Sequence, residues 1–136
     1  MRPERARERV PPTVGSLGRN IHLLVVDDDR GIRETLGEVL RDERYTVQLA
    51  KDGGEALTLL AKDPVPGLIL LDLAMPGVDG PAFLELQRQD PRLRRIPVVV
   101  FSADDRAPRA GAAGWLRKPV DLGELLETVA RLAGTP

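Results

Sequence analysis

The chain has 136 residues, a formal net charge of −1 and no cysteine. That is one domain's worth of sequence, able to bury roughly two thirds of its unfolded surface around a core of its own. Near-neutral charge argues against nucleic acid as the main partner, the missing thiols exclude disulfides and thiolate chemistry, and no apolar run nears the ~20 residues of a bilayer span.

Residues 1–20 read as a disordered N-terminal arm. Pro3, Pro11, Pro12, Gly15 and Gly18 interrupt it, and Arg2, Arg5, Arg7, Arg9 and Arg19 outnumber Glu4 and Glu8. Such a segment cannot bury enough apolar surface to offset its ordering entropy. A solvated tail is the simple reading; a docking arm for an acidic partner is the other.

From residue 21 the pattern alternates. Ile21 to Val26 is expected to be a buried strand. Asp29 then caps a helix whose apolar stripe is Ile32, Leu36, Val39 and Leu40. Tyr45 to Ala50 is the second strand, Asp52-Gly53-Gly54 a turn signal, and Ala56, Leu57 and Leu60 line the next helix. Pro64, Pro66 and Gly67 end that helix. Leu68 to Leu71 is apolar on both faces, as a central parallel strand requires. Asp79 caps a third helix with Pro81 in its first turn, where a missing N–H costs nothing, and Pro91 stops it. Ile96 to Phe101 is the fourth strand and Trp115-Leu116-Arg117 a short fifth. Leu122, Leu125, Leu126, Val129 and Leu132 stripe the final helix. Five strands alternating with helices imply a three-layer α/β sandwich with right-handed crossovers.

The strand ends carry the chemistry. Asp27-Asp28, Asp72, Ser102 and Lys118 each follow an apolar run, and in an open parallel sheet the carboxyl ends of the strands face one crevice. Adjacent carboxylates repel, which a cation or a raised pKa relieves. Magnesium accepts one or two carboxylates with carbonyls and water. An acidic turn before a helix is also the mark of plain capping, for which Asp29 alone suffices. Asp72, ending a buried strand, is either a cap or a nucleophile that attacks a phosphoryl donor to form an acyl phosphate. In the second case magnesium on Asp28 and Asp72 neutralises charge, Lys118 adds a compact ammonium, and Ser102 donates to a phosphoryl oxygen. His22, the sole histidine, reads as structural. Arg88, Arg92, Arg94 and Arg95 read as a solvated face, and Tyr45 as an edge residue.

Taken together, Leu24-Val25-Val26-Asp27-Asp28, Leu71-Asp72-Leu73-Ala74-Met75-Pro76-Gly77-Val78-Asp79-Gly80, Phe101-Ser102-Ala103 and Lys118-Pro119 resemble a response-regulator receiver domain of the chemotaxis-regulator type. The resemblance runs from about Ile21 to Ala133, making residues 21–134 the receiver domain. It implies a flavodoxin-like sheet of order 2-1-3-4-5. Asp72 is then the phospho-acceptor for a histidine kinase or phosphotransfer protein. Asp28 and Asp72 bind Mg2+ directly, Asp27 acts through water, and Ala74 offers its backbone carbonyl. Ser102 swings towards the phosphoryl group, Lys118 pairs with it, the bond before Pro119 is cis, and Trp115 stands at the switch-aromatic position.

Three departures stand out. Lys118 follows Ser102 by 16 positions, roughly six short of the family's usual spacing, or about a turn and a half of helix. Pro108 and Gly111 fall in that segment, so the fourth helix is expected to be stunted or missing. Trp115 is bulkier than the common Tyr or Phe. Ala74 cannot orient a hydrolytic water with its side chain, although Asp104 could.

The expected function is a cytoplasmic, single-domain response regulator, since Gly134-Thr135-Pro136 follows directly on the final helix. It would be phosphorylated on Asp72 and signal through a downstream protein, with no nucleic-acid or membrane partner, no enzymatic output beyond self-phosphorylation and self-dephosphorylation, and a homodimer left open. The alternative is a non-switching pseudo-receiver that keeps the acidic pocket as an interaction module. A metal-dependent phosphatase is disfavoured, because Ala74 stands where such enzymes carry a second acid.

Overall fold

The computed structural model describes residues 20–73, 80–103 and 111–136. Five strands, β1 (His22–Val26), β2 (Thr46–Ala50), β3 (Leu68–Asp72), β4 (Val98–Ser102) and β5 (Gly114–Arg117), form one sheet of order β2-β1-β3-β4-β5. Every neighbouring pair is parallel. The helices are α1 (Arg30–Asp42), α2 (Gly53–Leu60), α3 (Gly80–Gln89) and α4 (Leu122–Ala133). This is the three-layer arrangement expected from the alternating pattern, with the strand order that the resemblance implied.

The period-two alternation of each strand divides the core between the sheet's two faces. Leu24, Val26, Ile69, Leu71, Val98 and Val100 pack with Ala56 and Leu60 of α2 and Phe83 and Leu84 of α3. Leu23, Val25, Leu68, Leu70, Val99 and Phe101 pack with Leu36 and Leu40 of α1 and Leu125 and Val129 of α4. β3 and β4 are buried at every residue, which explains why their sequences are continuous apolar runs.

Asp29, Asp52 and Asp121 each cap a helix, their side chains accepting from the N–H groups of Ile32, Glu55 and Glu124. Asp52 thus begins α2 directly, where a free turn was expected. A capping carboxylate satisfies an orphan N–H and so lets two glycines enter a helix. Two apolar stripes are also shorter than expected. Ile32 and Leu122 are 40% and 41% exposed. Both lie in the first turns of their helices, beside Pro119 and Ala103, where the strands have ended and no sheet remains to cover them. β4 begins two residues later than expected, because Pro97 can only accept from the neighbouring strand, here from Ile69 N–H at 3.0 Å.

Two long polar side chains brace the opposite end of the sheet. Buried Gln87 donates from Nε2 to the carbonyls of Leu93 (2.6 Å) and Ile96 (3.0 Å). Arg92 is not merely part of a solvated face. It donates to the Leu60 carbonyl at the end of α2, to the Lys62 carbonyl and to the Asp63 carboxylate. Arg92→Ala uncovers those carbonyls and is expected to lower unfolding free energy by about 1–2 kcal/mol in urea titration, with the site chemistry unchanged.

The expected arm falls, up to residue 19, outside the described residues, as do Ala74, the Asp79 cap, Asp104 and Pro108. The connection from β4 to β5 occupies residues 103–113, and among the described residues no helix stands between those strands. No helix of the described residues is long and apolar enough to cross a membrane.

Candidate functional site

Strand register brings the site together. Val26 of β1 pairs with Leu71 of β3, so Asp27 and Asp72 follow at the same level on adjacent strands. Asp72 in turn pairs with Phe101, and Ser102 with Arg117. Lys118 N–H donates to the Ser102 carbonyl at 3.0 Å, extending the β4–β5 ladder by one rung and fixing Lys118 beside the crevice. The Lys118–Pro119 peptide bond is cis.

Carboxylate oxygens of Asp27, Asp28 and Asp72 lie within 4.8 Å of one another. Asp27 and Asp72 are buried, whereas Asp28 is exposed at the rim. Lys118 Nζ donates to Asp72 Oδ1 at 2.9 Å. Asp27 Oδ1 accepts from Asp29 N–H at 2.9 Å. Its other oxygen, Oδ2, is buried with no hydrogen-bond partner among the described residues. Burial, ahead of all other influences, pushes the Asp27 carboxyl up from 3.8 to about 6. Asp72 and Asp28 push the same way, and the Asp29 N–H and Lys118 oppose them.

A buried carboxylate oxygen without a donor, among three converging carboxylates, suits a hard divalent cation that takes oxygen ligands. Asp27, Asp28 and Asp72 fit that requirement. Ala74, the fourth expected ligand, lies outside the described residues. On either side of residues 74–79, Gly80 N–H donates to the Leu73 carbonyl at 3.3 Å. A Cβ on Gly80 would stand 2.4 Å from Leu73 Cα, so only glycine lets the start of α3 approach Leu73 this closely.

Ser102 is buried at the end of β4, at the same crevice. Trp115 follows the other face. It is half-buried on β5, opposite Val100, and packs against the cluster beneath α2 and α3. Sequence reasoning missed Arg33, whose Nη1 donates to the Asp27 carbonyl at 2.8 Å. An arginine one turn into a helix carries no local mark of such a contact, so no periodicity could have found it.

Beside the crevice, Ile32, Leu36, Ala103, Pro119, Val120 and Leu122 line a cleft of about 820 Å³, with Lys118 at its edge.

Comparison with known proteins agrees with this geometry. The model of the response regulator receiver domain matches residues 23–130. Response regulator MprA of Mycolicibacterium vanbaalenii is 42% identical over 122 residues, which cover 82% of this chain and 50% of that protein. MprA of Mycobacterium ulcerans is 42% identical over 123 residues, covering 83% and 50%. The chain therefore spans about half the length of the curated relatives it matches. Among solved structures, chemotaxis protein CheY4 of Vibrio cholerae superposes with a TM-score of 0.76 at 30% identity, covering 84% of this chain and 99% of that one. A response regulator receiver protein of Pseudomonas putida gives 0.77 at 28% identity, covering 85% and 99%. With its sheet order, its convergent strand ends and these matches in agreement, the chain belongs to the response regulator receiver domain family of two-component systems.

Proposed function

We propose that this receiver takes a phosphoryl group on Asp72 from the phosphohistidine of a histidine kinase or phosphotransfer protein and passes the signal on by binding another protein. The observation that carries the reading is the convergence of Asp27, Asp28 and Asp72 with Lys118 Nζ already on Asp72 Oδ1.

An Asp72 oxygen attacks phosphorus, the donor's phosphorus–nitrogen bond breaks, and the departing imidazole keeps the electron pair and takes up a proton. Positioning and charge neutralisation dominate such a transfer. Asp28 and Asp72 would hold Mg2+ directly, with Asp27 acting through water and the Ala74 backbone carbonyl as a further ligand. When bound, the ion neutralises charge on the transferring group. Lys118 leaves its bond to Asp72 and pairs with a phosphoryl oxygen, and Ser102 donates to another. Ser102 and Trp115 form the switch.

The donor is a protein on this reading. The apolar cleft of Ile32, Pro119 and Leu122, which reaches Lys118, is a surface suited to an apolar protein face and favours a protein donor.

Intact mass after incubation with acetyl phosphate tests the proposal. One phosphoryl adduct is expected, present with Mg2+ and absent with a chelator. No adduct, together with failure to bind beryllofluoride, would overturn it in favour of a non-switching interaction module.

A further inference from the structure

Arg33 stands one turn into α1. Side chains of a helix lean towards its N-terminus, so the guanidinium reaches back over the capping turn. There Nη1 donates to the main-chain carbonyl of Asp27 at 2.8 Å. That carbonyl belongs to the peptide plane joining Asp27 to Asp28. Its tilt therefore sets where the Asp28 carboxylate falls.

The two acids are held differently. Asp27 is tied by its N–H to the Ala50 carbonyl at 3.1 Å and by its carboxylate to Asp29 N–H at 2.9 Å. Asp28 is exposed, and among the described residues no hydrogen bond holds its carboxylate. Mutual repulsion of three carboxylates would turn such a side chain, and the peptide beneath it, away from the crevice. Arg33 holds that peptide.

We propose that Arg33 is a positioning residue of the cation site, fixing the Asp27–Asp28 peptide plane so that the Asp28 carboxylate stays in ligating position. The inference rests on the reading of the acidic cluster as a magnesium site.

The test is Mg2+ binding by calorimetry at neutral pH, using the metal alone, on the parent chain, Arg33→Met and Arg33→Lys. Methionine keeps an unbranched, helix-favouring stem and removes the donor. Loss of an outer hydrogen bond to a metal site costs about tenfold or more in affinity. Arg33→Met is therefore expected to bind Mg2+ about tenfold more weakly, with Arg33→Lys, which keeps a donor, recovering most of the loss. The substitution also removes a positive charge, whose repulsion of the ion is screened over about 8 Å at physiological ionic strength. Urea titration without metal reports the variants' folding separately. Affinity unchanged in a folded Arg33→Met would overturn the proposal and leave Arg33 a structural tie. Tighter binding would overturn it too, showing that charge repulsion outweighs positioning. A parent that binds no Mg2+ would remove the site itself, and the proposal with it.

Discussion

Asp72→Asn leaves the chain folded and abolishes its labelling by acetyl phosphate. The amide matches the carboxylate in shape but has no anionic oxygen to attack phosphorus, so labelling is expected to fall at least about a hundredfold. The substitution is gentle on the structure. Asp72 ends a fully buried strand and forms an ion pair with Lys118, but the amide oxygen still accepts from that ammonium and the Asp27 and Asp28 carboxyls stay close by as counter-charges. It also removes one of the two neighbouring charges that push the Asp27 carboxyl up. The metal-free denaturation midpoint of Asp72→Asn should accordingly be no lower than the parent's, and Asp27 should titrate closer to its ordinary value. Intact mass reads the labelling and urea titration the midpoint. Labelling at the parent level would move the acceptor to another residue and overturn the assignment.

The fold was legible because its architecture is written in short-range signals. Each strand is largely apolar and meets a polar residue at or just after its end, and the crossovers between β1 and β4 carry helical patterns, so the elements and their order along the chain followed directly. The crevice followed too, since parallel strands bring their carboxyl ends to one edge. What escaped has one physical character. Arg33, Gln87 and Arg92 act by returning to backbone carbonyls that belong to other turns and other elements. Such contacts leave no periodicity, and a cluster of arginines after a helix looks the same whether solvated or clasped. Ile32 escaped for the opposite reason. Its spacing matches the buried stripe of α1, but spacing cannot tell where the sheet beneath that stripe ends. Pro108 and Gly111 oppose a regular helix between β4 and β5 on propensity alone, and residues 104–110 of that connection lie outside the described ones.

Asp27 makes metal-free stability fall as pH rises. Its carboxyl titrates at about 6 in the folded chain because burial penalises the charged form, against 3.8 ordinarily. Between about pH 4 and pH 6 the folded chain therefore holds a proton that the unfolded chain has lost. Stability then declines with rising pH across that window and levels off above it. A shift of this size is worth on the order of 2 kcal/mol, after allowing for screening at the crevice mouth. Asp27→Asn cannot ionise, so the variant should be more stable than the parent at pH 7.5 without metal, and their difference should shrink towards pH 4. Urea midpoints across that range, in chelator, give the comparison, and parallel profiles for the two proteins would show that Asp27 titrates at its ordinary value. Mg2+ should reverse the slope for the parent. The ion needs ionised carboxylates, and its binding stabilises the fold in proportion to the logarithm of its concentration above the dissociation constant. The gain from Mg2+ should appear as pH rises through 6, where metal-free stability has been lost, and should be much smaller in Asp27→Asn. The same burial that weakens the metal-free fold at neutral pH also leaves the Asp27 Oδ2 without a protein donor, suited to a cation's water, which ties the cost in stability to the chemistry of the site.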